Sequence, residues 1–99
     1  MRIIYKYRLL DAALNFKDPQ GFVVRVTVKE GAKLLRADSQ INLWIETDTD
    51  RDDQTARIYC YATGQELFHD HRTHKYFTSV VLDTKEFHIL HLYVPHDLH

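Results

Sequence analysis

A chain of 99 residues leaves room for one hydrophobic core. Its single cysteine, Cys60, permits neither an intrachain disulfide nor a thiolate zinc cluster. A formal net charge of -1 argues against duplex nucleic acid as a partner, because that affinity comes from neutralising many phosphates. No stretch is apolar over the roughly 18 residues that a membrane helix needs, and none reads as a signal peptide, so the expected setting is a cytosol with no membrane contact. The near-neutral total conceals an asymmetry. Residues 1–36 carry eight Lys and Arg against three Asp and Glu, whereas residues 37–54 carry one against six.

The apolar period is two from the first residues onward. Ile3, Tyr5, Tyr7 and Leu9 alternate with Arg2, Lys6 and Arg8, which predicts a half-buried strand over residues 2–9. Asp18-Pro19-Gln20-Gly21 suits a type I turn joining Leu14–Lys17 to a strand over Phe22–Lys29. Glu30-Gly31 marks a bend, and Ala32–Ala37 reads as a strand or as one helical turn. After the turn Asp38-Ser39-Gln40, a strand over Ile41–Thr47 places Ile41, Leu43 and Ile45 on one face. The charged stretch Asp48–Gln54 reads as a solvated loop. It has the D-x-D-x-D opening of a calcium loop but lacks the glycine and the glutamate at the sixth and twelfth places, which are Asp53 and Tyr59. Arg57–Thr63 is a strand, residues 69–75 form a histidine-rich loop, and Tyr76–Leu82 with Phe87–Val94 makes a closing hairpin across Asp83–Glu86. These elements predict one all-β domain over residues 1–99, a small β-sandwich or partly open barrel of about six to eight mostly antiparallel strands.

Several segments occur together in order: Ile4-Tyr5-Lys6-Tyr7-Arg8-Leu9, Gly31-Ala32-Lys33-Leu34-Leu35, and Leu43-Trp44 before the acidic loop. They are followed by Arg57-Ile58-Tyr59 with Ala62-Thr63-Gly64, and by the closing strand Phe87-His88-Ile89-Leu90-His91-Leu92. This set resembles a family of small tailed-phage proteins of unknown function. The resemblance implies an accessory gene expressed in the cytoplasm of a bacterial host, and no known reaction. The Leu14–Phe22 hairpin and the His69–His74 run depart from the family pattern.

All seven histidines lie between His69 and His99. His69, His71 and His74, joined by His91 from the last strand, are candidate ligands for a divalent metal such as zinc, nickel or copper. A polar loop with solvated imidazoles explains the same run. His88 and His91, three apart on a strand, point to opposite faces, so one of them meets an apolar layer or a subunit interface. Arg2, Lys6 and Arg8 on one strand and Arg25 and Lys29 on another would line one basic face if the strands were neighbours. With Tyr59 and Tyr61 to stack a base, that face would suit a nucleotide. Cys60, between those tyrosines, reads as a small buried hydrophobe. The last strand is apolar on both faces, so it is either central or packed on another subunit. Phe87, Ile89, His91 and Tyr93 are the expected interface of a homo-oligomer.

No nucleophile elbow, phosphate-cradling glycine loop or zincin helix is present in the sequence. The expectation is therefore a non-enzymatic binding protein that contacts a host protein, and the phage resemblance suggests a host defence component. Two alternatives belong to other classes: an oligomeric sponge for a nucleotide signal, and a metal-dependent enzyme built on the His69–His74 run.

Overall fold

The computed structural model describes residues 1–8, 21–81 and 89–99, with only the backbone of Gly21 and Phe22. The turn expected at Asp18-Pro19-Gln20, the hairpin turn Asp83–Glu86, and the side chains of Phe87 and His88 lie outside the described residues. Within them the fold is all-β. Its strands are β1 (Arg2–Arg8), β2 (Gly21–Lys29), β3 (Lys33–Ala37), β4 (Asn42–Asp48), β5 (Asp53–Ala62), β6 (His74–Val81) and β7 (Ile89–Pro95), followed by a single 3-10 turn, η1 (His96–Leu98). They form two antiparallel sheets in an open sandwich. One sheet has three strands in the order β1-β4-β3, and the other has four in the order β2-β5-β7-β6.

Two-residue alternation builds the core. Val24, Val26 and Val28 of β2 are buried while Val23, Arg25 and Thr27 face out. Leu43 and Ile45 of β4, with Ile41 just before the strand, face Ile58 and Cys60 of β5 and Leu90, Leu92 and Val94 of β7 in one cluster. Each such fully buried aliphatic side chain contributes about 1.5–3 kcal/mol from removal of apolar surface from water. Two polar ties hold the three-stranded sheet, one to the other sheet and one to η1. The Tyr7 hydroxyl donates to the Thr27 carbonyl at 2.7 Å, and Lys33 Nζ donates to the Asp97 carbonyl at 2.9 Å.

Three local readings are settled or corrected. Residues 33–37 form a strand rather than a helical turn, with a bulge between Leu34 and Arg36 where the β4 register shifts. The turn before β4 is built on Asp38, whose Oδ1 accepts the N–H groups of Gln40 and Asn42, each at 3.0 Å. Burial alone would raise the Asp38 carboxyl, but these bonds, with a third from the Asn42 side chain, hold it below the ordinary carboxylate range. That bracket sustains Ile41 at φ 57, a left-handed conformation costly for a β-branched residue, in exchange for a fully buried side chain. The acidic stretch does not remain a loop to Gln54. Strand β5 begins at Asp53, because Lys29 neutralises that carboxylate at 2.8 Å and Ala56 buries its methyl opposite Val26.

The doubly apolar β7 is an interior strand, hydrogen-bonded to β5 on one side and β6 on the other. That position accounts for its composition without a second subunit.

Candidate functional site

The outward face of the four-stranded sheet carries an aromatic row. In register, Val23, Tyr59, Tyr93 and Tyr76 stand side by side across β2, β5, β7 and β6. Gly64, at φ 88, turns the chain after β5 so that segment 65–73 runs back over this face. Phe68 then meets Tyr59 and Tyr61 edge-on, with ring centroids 5.5 and 5.3 Å apart. The His69 ring lies 4.5 Å from that of Tyr93. The far end of the segment is pinned where the Thr73 carbonyl accepts the His96 N–H at 2.9 Å.

Tyr61 is the anchor of this segment. Its hydroxyl oxygen accepts the N–H groups of Phe68 and His69 at 3.1 and 3.0 Å, and its own proton points to His69 Nδ1 at 2.9 Å. A phenol has one donor and two acceptor positions, so all three are used. His69 is thereby held as the Nε2–H tautomer. Desolvation, then the neighbouring His74 and His71, lower its pKa below the ordinary value of 6.5. A lowered folded-state pKa means that the unfolded chain takes up the proton first. Stability that is complete above pH 6.5 is lost as pH falls through 6.5 toward the folded value. The melting temperature is therefore expected to fall between about pH 8 and about pH 5.5, and His69→Asn is expected to flatten that slope. His99, whose pKa is lowered chiefly by burial, contributes to the part that remains. Equal slopes in the two proteins would contradict the assignment.

The other imidazoles are also fixed by hydrogen bonds. His74 Nε2 donates to the Arg57 carbonyl at 3.0 Å, and Nδ1 faces Thr73 Oγ1 at 2.8 Å. The Thr73 hydroxyl also donates to the Asp70 carbonyl at 3.0 Å. His91 is the centre of a chain running Tyr76 hydroxyl, Ser79 Oγ, His91 Nδ1, then His91 Nε2 and Thr63 Oγ1, with steps of 2.8, 2.7 and 2.9 Å. A serine 2.7 Å from an imidazole can exchange a proton with it, but the other ring nitrogen faces a threonine rather than a carboxylate. The network holds the ring in place more than it activates Ser79.

The expected metal set is accordingly not assembled. His69, His74 and His91 have ring nitrogens engaged with Tyr61, Arg57, Ser79 and Thr63, and His71 is exposed on the turn 71–73. Among the described residues no group of three or more His, Cys, Asp or Glu side chains is placed to hold a metal ion.

The single basic face also dissolves, because β1 and β2 lie in different sheets. Arg2 is paired with Glu46 at 2.9 Å, Lys6 sits 5.5 Å above the Trp44 ring, and Lys29 is paired with Asp53. Arg8 stays exposed on the outer side of the three-stranded sheet. Tyr61 is covered by Phe68 and His69, so it offers no face to a base, while Tyr59 is partly covered. Arg25 alone of the basic set reaches a cleft, about 460 Å³ in volume, where it meets Arg57, Thr55, Thr73 and His74. Of the expected interface residues, Ile89, His91 and Tyr93 do lie together on the outward face, and Phe87 is outside the described residues.

With this geometry in hand, the chain matches a domain of unknown function, DUF7352, over residues 1–98. It belongs to that family. No curated protein and no solved structure matches it. No helix among the described residues of this DUF7352 chain is long and apolar enough to cross a membrane. Its Cys60 thiol is pushed up to about 12 by burial, so it stays protonated at neutral pH and is no nucleophile. The acidic turn that resembles a calcium loop instead holds the Met1 amine, at 3.1 Å from Asp48 and 2.7 Å from Asp50.

Sequence reasoning missed Phe68, Ser79, Thr63 and Arg57. Phe68 had a usable signal, an aromatic residue isolated in a polar segment just after a Thr-Gly break. The other three acquire meaning only from register, through Ser79 opposite His91 and Arg57 opposite Arg25.

Proposed function

We propose that this chain is a non-enzymatic accessory binding protein of a tailed phage. In this reading it acts in the cytoplasm of the bacterial host and inhibits a defence component by covering part of its surface. The phage setting and the class of partner rest on the motif resemblance. Protein contact rests on one observation, the outward face of the four-stranded sheet. There Phe68 is 61 % exposed, Tyr76 50 % and Ile89 38 %, on the same face as the half-exposed Val23. Large apolar groups gathered on one face have the composition of an interface core. Aromatic side chains also dominate the residues that carry binding energy in such contacts.

The test is capture of a host protein from lysate by immobilised full-length chain, with the double variant Phe68→Glu/Tyr76→Glu beside it. Phe68 also covers part of Tyr61 and the Tyr76 hydroxyl bonds Ser79, so the variant is expected to melt below wild type, and capture is compared at a temperature where melting curves show both proteins folded. The account expects one stoichiometric host protein on the wild type and at least a tenfold loss on the variant, about 1.4 kcal/mol or more. Equal capture by both proteins, or capture only of a second copy of the chain, would refute a host partner at this face.

A further inference from the structure

The cleft beside the aromatic row gathers positive charge that no ion pair among the described residues neutralises. Pairing of β5 with β7 stops at Tyr59 and Tyr93. Two residues further along β7 stands Pro95, which has no N–H to continue the ladder. The β5 edge before Tyr59 therefore borders the open cleft of about 460 Å³, closed on its other side by Thr73, His74, Pro95 and Asp97.

Two features of that edge point to an oxyanion. The first is backbone direction. The Arg57 carbonyl faces the cleft, where it accepts His74 Nε2–H. In an antiparallel strand the N–H and C=O of one residue face the same neighbour, and the pattern repeats every second residue. The register of β5 on β2 is unbroken from Asp53 to Tyr61, so the N–H and C=O groups of both Arg57 and Thr55 face the cleft, and the Arg57 carbonyl is already taken by His74.

The second feature is charge. Arg25 and Arg57 stand directly opposite each other on β2 and β5, and both are exposed. Like charges in such a cross-strand pair destabilise a sheet. Among the described residues neither guanidinium has an ion-pair partner. Asp97 is the one carboxylate residue among those lining the cleft, against two arginines and His74.

We propose that this cleft is a binding site for the phosphate group of a small phosphorylated metabolite. Two guanidinium forks, two backbone N–H groups and the Thr55 hydroxyl offer more donors than the two oxygens of a carboxylate use. They suit the three peripheral oxygens of a phosphomonoester, which arginine pairs bidentately. The volume exceeds what a bare phosphate fills and lies in the range of small-molecule pockets, roughly 300–1,000 Å³, so the site has room for the organic group that carries the phosphate. The site is independent of the protein contact proposed above, whose exposed residues Phe68 and Tyr76 do not line it.

The experiment is an amide NMR titration of the isotope-labelled full chain with adenosine monophosphate, ribose 5-phosphate and inorganic phosphate, and with adenosine and ribose as unphosphorylated controls. The expected result is saturable movement of the Thr55 and Arg57 amides with at least one organic phosphate. Comparison of the two organic phosphates reports whether a base adds affinity. Arg25→Gln and Arg57→Gln are each expected to weaken binding about tenfold or more, with the melting temperature unchanged or raised because the opposed charges are relieved. No saturable movement with any phosphorylated probe would overturn the proposal. So would an equal response to adenosine and adenosine monophosphate, unchanged binding in both variants, or a response to inorganic phosphate alone, which would mark an adventitious ion only. Loss of this site with intact capture of a host protein, or the reverse, separates the two readings.

Discussion

Leu92→Ala is expected to lower the unfolding free energy by about 2–5 kcal/mol, with a melting temperature lower by roughly 10 °C or more. Leu92 is wholly buried, and β7 holds it between Cys60 of β5 and Thr78 of β6, where it points at the three-stranded sheet. Strands pinned on both edges cannot close over the missing atoms, so a cavity adds to the lost transfer energy. Ile89 begins the same strand and is 38 % exposed on the opposite face. Its replacement by alanine is expected to cost less than about 1 kcal/mol. Urea unfolding of both variants compares them directly. Similar losses would mean that β7 does not present opposite faces to core and solvent.

Tyr61→Phe is the second large effect, expected at about 1–3 kcal/mol. The ring and its contacts with Phe68 remain, but the N–H groups of Phe68 and His69 lose their acceptor and His69 Nδ1 loses its donor. Partly buried polar groups left without partners carry a desolvation penalty, which is why one oxygen atom matters here. Segment 65–73 is then expected to lift from the sheet. His69 gains solvent, its pKa returns toward 6.5, and the acid-side loss of stability shrinks with it. An unchanged melting temperature and unchanged amide resonances at positions 68 and 69 would show that Tyr61 does not anchor the segment.

Which side chains face inward was legible in the sequence. Val24, Val26 and Val28, and then Ile41, Leu43 and Ile45, announce their faces by alternation alone, and all six are buried. Which strands lie side by side was not legible. Arg2, Lys6 and Arg8 alternate as cleanly as Arg25 and Lys29, yet the first set lies on the three-stranded sheet and the second on the four-stranded one. Period two deals residues to faces but carries no information about partners or register. The start of β5 was hidden for a related reason. Asp53-Gln54-Thr55 is too polar to read as strand, and it becomes one because β2 supplies Lys29 and Val28 opposite it. The surroundings of the histidines were hidden in a different way. His69 meets Tyr61 only because segment 65–73 folds back over the sheet, His74 meets Arg57 at the start of β6, and His91 meets Ser79 and Thr63 through the register of β6 on β7 and the end of β5.

The same fold-back gives the molecule two unlike surfaces on one sheet. Toward Tyr76 and Phe68 the surface is aromatic, and toward Arg25 and Arg57 it is cationic. Both depend on β5, which carries Tyr59 in the first and Arg57 in the second. On the outer side of the three-stranded sheet the exposed Ile4 stands among charged neighbours, with Arg2 paired to Glu46 and Lys6 over the Trp44 ring.

The central claim is that the outward face of the four-stranded sheet is the surface through which this chain engages a protein. Amide hydrogen exchange of the full chain, alone and bound to the host protein it captures, tests that claim most directly. The account predicts new protection at Phe68 and His69, at Tyr76 and along β7, with β1, β3 and β4 unchanged. Protection confined to the three-stranded sheet, with segment 65–73 exchanging as it does in the free chain, would contradict it.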